Sequence, residues 1–158
     1  KSAEERAEAS RYYAKVLIFG NRPKEALPFA LEAYHFYVEK CGKSSFDACV
    51  MHSELVFVYA MIDDEIYGPL ARQSWRSLRE KVSDFQSFPE RDRVDAVFLL
   101  KHMGCDELLA RAYRESDKTK KINFLKAALK IAISIKHGFL ARICADLDVL
   151  GCVFTDRI

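Results

Sequence analysis

What most restricts the fold of this chain is that its helical pattern returns after 41 residues. Pro28-Phe29-Ala30 falls on Pro69-Leu70-Ala71, Ala33 on Ser74, Tyr34 on Trp75, and Glu39-Lys40 on Glu80-Lys81. A second helix type repeats at the same step, Leu109-Ala110-x-x-Tyr113 falling on Leu150-Gly151-x-x-Phe154. Weaker copies stand at Tyr13-Ala14-x-x-Leu17 and Leu55-Val56-x-x-Tyr59, 42 apart. From Leu55 to Leu109, and again from Ser74 to Ala128, the step is 54. Two helix types thus place one insertion in the aperiodic stretch around residues 83–95. Periods of this size mark stacked helical hairpins, because no single hairpin can bury its apolar stripe alone.

Local signals agree with an all-α chain. Ser2 with Glu5 forms a capping box, and the helix after it carries Ala9, Tyr12, Tyr13, Val16 and Leu17 on one side. Gly20-Asn21 ends it, and Pro23, whose missing N–H costs nothing in a first turn, opens a second helix to about Cys41. Ser44 or Ser45 can cap a third, from Phe46 to about Ile62. Asp63-Asp64 breaks the pattern before a fourth with Leu70, Ala71, Ser74, Trp75 and Leu78. Helix resumes from about Arg93 to Ser116, with Gly104 a candidate bend. Two more, at roughly Lys120–Lys136 and Phe139–Phe154, are parted by His137-Gly138. No period-2 strand pattern is present. A large residue beside a small one, with an aromatic three positions on, puts the small residue at a close helix crossing and the aromatic in the gap one turn away. Ala110 and Gly151 are therefore expected at such crossings, with Tyr113 and Phe154 buried. The second helices repeat the device with Ala26, Ala30 and Ala33, with Ala71 and Ser74, and with Ala127-Ala128.

These residues, Leu-Ala/Gly-x-x-Tyr/Phe on the first helix and spaced alanines on the second, resemble the tetratricopeptide repeat. The period is longer than the usual ~34 and is similar to the long repeats of the kinesin light chain group. The resemblance implies a single α-solenoid domain over residues 1–158 of about three and a half repeats, the last helix lacking its partner. It also implies a scaffold or adaptor that holds a peptide or helix of another protein in its concave groove. Carried over by register, the groove residues are Arg11 and Lys15, then Ser53 and Phe57, then Glu107, Arg111 and Arg114, and finally Asp148 with Cys152. Phe57 is the one exposed aromatic expected there. The Lys and Asn clamp of the chaperone-binding members is absent, since Lys15, Glu54, Gly104 and Leu108 occupy its places.

Chemistry-bearing motifs are few, and the expectation is a binding protein without catalytic residues, cofactor or metal. His52-Ser53-Glu54 has triad residue types, but consecutive helical positions point about 100° apart. His102-x-x-Cys105 offers two zinc ligands on one face with no second pair at a complementary spacing. No phosphate-binding glycine motif occurs. Five widely spaced cysteines without a CxxC read as small hydrophobes in a reduced cytosolic or nuclear protein. No apolar run approaches the ~18 residues of a membrane helix. The chain starts at Lys1, which points to a piece of a longer protein.

Charge is the remaining clue. The net charge of +2 hides an imbalance: residues 41–110 hold eight basic and twelve acidic side chains, whereas 111–142 hold nine and two. Lys118, Lys120 and Lys121 crowd a helix start, which opposes the helix dipole. The basic stretch can be a solvated surface, a site for an acidic protein partner, or the nucleic-acid-facing part of a regulatory segment in a larger protein. Arg111 and Arg114 are expected to meet an acidic partner residue whose apolar neighbour packs on Phe57.

Overall fold

The computed structural model describes residues 2–152, and these are all-α. Seven helices follow in order: α1 (Ala3–Phe19), α2 (Pro23–Cys41), α3 (Phe46–Ile62), α4 (Tyr67–Ser83), α5 (Glu90–Arg114), α6 (Lys118–Ile135) and α7 (Leu140–Val149). Short turns make sequence neighbours pack, α1 on α2, α2 on α3, α3 on α4 and α6 on α7, as in a helical-repeat stack. The chain forms two compact units, residues 1–99 and 100–158, with the division inside α5.

The boundaries follow from local chemistry. In α1 the Ser2 hydroxyl accepts from Glu5 N while the Glu5 carboxylate accepts from Ser2 N. Ser45 rather than Ser44 caps α3, accepting from Ala48 N at 3.1 Å. Asp64 accepts from the amides of Ile66 and Tyr67 ahead of α4. The aperiodic stretch after α4 is a 3-10 turn at Phe85–Ser87, pinned by buried Phe88, whose ring meets Phe46 edge-on at 5.8 Å. The extra length behind the 54-residue step lies in α5 itself, 25 residues long against 17 for α1 and α3. It runs unbroken through Gly104.

In the first unit the spaced alanines are the packing device. Ala26, Ala30 and Ala33 of α2 and Ala71 of α4 are buried, as are Ala7, Ser10, Ala14 and Leu17 of α1. The packing face of α1 is therefore turned from the expected one. Tyr12 is 71% exposed and Val16 46%, because small Ala7, Ser10 and Ala14 let α2 approach closely and leave the larger side chains outside. In the second unit Met103, Leu109, Ala110 and Ala112 of α5 are buried, with Leu125, Ala128 and Ala132 of α6 and Ile143 and Leu147 of α7.

Ala110 is fully buried, as its register requires, but Gly151 is not its equivalent. Helix α7 stops at Val149, and Gly151 has φ 83°, exposed, with nothing near the position of a Cβ. Gly151 N donates to Asp148 O and Cys152 N to Leu147 O, the paired bonds of a Schellman cap. Gly151 thus ends a helix where a helix crossing was expected, and its left-handed backbone is the reason. Phe154 lies outside the described residues. Tyr113 is half-buried, its hydroxyl donating to Asp146 Oδ2 at 2.9 Å.

Candidate functional site

Of the residues expected to line a groove, two are interior and two are engaged by a neighbouring helix. Arg11 donates through Nε and Nη2 to both carboxylate oxygens of Glu54 at 2.7–3.0 Å, and Lys15 Nζ lies 3.2 Å from the same group. Both cations are thus spent on tying α1 to α3. Burial disfavours the Arg11 charge, but the Glu54 hydrogen bonds and charge outweigh it and hold the guanidinium above its ordinary pKa. Ser53 and Phe57 are corrected outright: they are 2% and 6% exposed, inside the packing of α3, and Ser53 Oγ donates to Val50 O. The cause is that α3 is apolar nearly all round and packs on both α2 and α4, so positions that flank a packing stripe are themselves interior. In the second unit Arg111 pairs with Glu107 at 3.1 Å, and Arg114 Nε donates to Ala110 O. Asp148 is exposed near the end of α7, and Cys152 is half-buried.

A different constellation is assembled in the second unit. His102 and Asp106 stand four residues apart on α5 and so share one face. Helix α6 ends with Lys136 in the left-handed region at φ 52°, and His137 N donates back to Ala132 O. That turn delivers the His137 ring to Asp106: Nε2 lies 2.8 Å from Asp106 Oδ1, while His102 Nδ1 lies 3.1 Å from Oδ2. The two rings are 4.2 Å apart between centroids. Phe139 N donates to His137 Nδ1 at 3.0 Å, which places that ring's proton on Nε2, directed at Asp106. Asp106 is 3% exposed and His137 6%, whereas the His102 side chain is 42% exposed. Burial pushes the Asp106 carboxyl upward, but the charge and hydrogen bond of His102, with the bond from His137, more than offset it and hold the group below its usual range.

The thiol named with His102 in the sequence plays no part. Cys105 is fully buried, its Sγ donating to Ala128 O at 3.6 Å, and burial with the nearby Asp106 charge pushes it up to about 12. A protonated thiol facing a backbone carbonyl is a core residue, not a ligand. The sequence does hold the spacing His102-x-x-x-Asp106, which fits one helix face. Nothing local marks His137, 31 residues beyond Asp106, as its partner.

Around this cluster the basic residues of 111–142 are laid out along α6. Lys118, Lys120, Lys126, Lys130 and Lys136 are exposed and Lys121 half-exposed. None of the six forms an ion pair among the described residues. The unfavourable lysines at the start of α6 are offset by Asp117, which caps the helix by accepting from Lys120 N at 2.9 Å. Comparison with protein-family models, with curated proteins and with solved structures finds no match to this chain.

Proposed function

We propose that this chain is a helical-repeat interaction module that holds an acidic segment of another protein against α6, with no catalytic role of its own. The observation that carries the reading is the state of the α6 lysines. Six ammonium groups without a carboxylate partner among the described residues, gathered along one helix and its end, are a field available to a ligand. Lys126 and Lys130 lie one turn apart, and Ile133, 41% exposed, follows Lys130 by three residues. A stripe that alternates cation and apolar side chain fits an amphipathic acidic peptide better than a phosphate backbone, which needs no apolar contact. Ile133 takes the place that buried Phe57 cannot fill. Arg111 and Arg114, bound to their own helix, are secondary contributors.

The test is binding of immobilised peptides of alternating Glu and Leu, of alternating Gln and Leu, and of a single-stranded oligonucleotide. The Glu-Leu peptide should bind and the Gln-Leu peptide should not. Lys126→Glu with Lys130→Glu should weaken binding more than tenfold, over ~1.4 kcal/mol, and Arg111→Glu with Arg114→Glu by less. Equal binding of both peptides would sink the proposal. So would a preference for the oligonucleotide with a steep loss in salt, which belongs to the nucleic-acid reading.

A further inference from the structure

We propose that His102, Asp106 and His137 bind a divalent transition-metal ion of the zinc class, through two imidazoles and one carboxylate with the remaining coordination open to water. The three donor groups come from two segments of the second unit, and their ligand atoms all lie within 4.8 Å of one another. A tetrahedral site with bonds of ~2.0–2.1 Å sets its donors about 3.3 Å apart. The imidazole nitrogens approach different oxygens of Asp106, His137 Nε2 at 2.8 Å from Oδ1 and His102 Nδ1 at 3.1 Å from Oδ2. With either oxygen as the donor, one of the three pairs needs a shift of only tenths of an ångström and the others start within 4.8 Å.

The charge at the cluster favours a cation. Asp106 is almost wholly buried, its polar partners are the two imidazoles, and no Lys or Arg reaches it among the described residues. His137 Nδ1 accepts the Phe139 amide and Nε2 faces Asp106. A buried carboxylate so placed has only the half-exposed imidazole of His102 to balance its charge, and a divalent ion would take over that role. The half-exposed ring of His102 gives the ion a route in and leaves room for a water ligand. Two nitrogen donors and one oxygen donor, without thiolate, match zinc and its first-row neighbours and not calcium or magnesium.

Binding has one structural consequence that hydrogen bonding alone lacks. A metal on His137 Nε2 displaces the proton now directed at Asp106 Oδ1, and the ring takes up a proton from solvent at Nδ1. That nitrogen then becomes a donor facing the Phe139 amide, which must turn away. The α6–α7 junction thus registers occupancy.

Calorimetry with zinc chloride, absorption with cobalt chloride and amide NMR of the whole chain test the proposal together. One ion per chain should bind saturably, cobalt should give visible d–d bands without a sulfur charge-transfer band, and the Phe139 amide resonance should move. His102→Ala, at a half-exposed position, should retain the helical fold and lose affinity by more than tenfold, with His102→Gln as a second variant should the first misfold. Absence of saturable binding overturns the proposal. So does full affinity in the His102 variant that folds, or a sulfur charge-transfer band that assigns the ion to the exposed thiol of Cys41 or the half-buried ones of Cys144 and Cys152.

Discussion

The two units treat charge differently. Among the described residues of 1–99, cations on several elements find carboxylates: Arg11 and Lys15 on Glu54, Arg22 on Glu25, Lys40 on Glu4, and Arg72 near Asp63. The buried polar residues of that unit are Ser10 and Ser53. Residues 100–158 also hold ion pairs, Arg111 with Glu107 and Arg142 with Asp146. They add a buried Asp106 and His137 inside and, outside, six lysines that form no ion pair among the described residues. Paired surface charges add little to stability and nothing to recognition, since the field is closed within the molecule. An ionised group buried without Lys or Arg, and cations left without carboxylates, are both costly to a folded chain. Their concentration in one unit is the reason both proposals, the partner site and the metal site, fall there.

The largest expected effect tests the interior half of that contrast. Asp106→Ala leaves two imidazoles facing a void and should destabilise the second unit by about 3–5 kcal/mol, since two hydrogen bonds to a charged acceptor, each worth about 1.5–3 kcal/mol, are lost. Amide exchange over α6 and α7 reads it, with fluorescence of the single Trp75 as reference in the first unit. Equal loss in both units would erase the contrast between them.

Ala110→Leu comes next, since a fully buried small residue has no room for three more carbons; about 1–3 kcal/mol is expected from overpacking. Gly151→Ala supplies the counterpart. With open space around it, only the left-handed backbone resists, so thermal melting should show a loss of about 1 kcal/mol and Gly151→Asn less. If Gly151→Ala costs as much as Ala110→Leu, the helix-end assignment fails.

Within the first unit, Glu54→Gln removes the carboxylate that Arg11 and Lys15 share. Hydrogen bonds to a charged group are worth about 1.5–3 kcal/mol, and the partial exposure of all three groups should bring the loss in urea unfolding toward about 1 kcal/mol. Lys126→Glu with Lys130→Glu is the smallest effect, within about 0.5 kcal/mol. Those ammonium groups have no ion-pair partner to lose among the described residues, and a larger destabilisation would mean that the α6 surface is structural after all.

The helix ends of the first unit were legible in the sequence because capping is settled within a few residues, whereas the end of α7 at Val149 was not. The Ser2–Glu5 box, Pro23, the serines before Phe46 and the Asp63-Asp64 break all act over one turn, and each stands where the residues place it. The all-α class and the spaced alanines of α2 and α4 follow from periodicity, which is likewise local. What lay beyond reach was which side of each helix faces in. Tyr12 and Val16 read as core and are exposed, while Ser53 and Phe57 read as surface and are buried, because a helix's inner face depends on how many neighbours it acquires. Arg11 meets Glu54 across 43 residues, and His137 meets Asp106 across 31. No local spacing encodes such a meeting. It exists only once packing has fixed where α1 passes α3, and where the end of α6 returns to α5, and a displacement of one helical turn would abolish either.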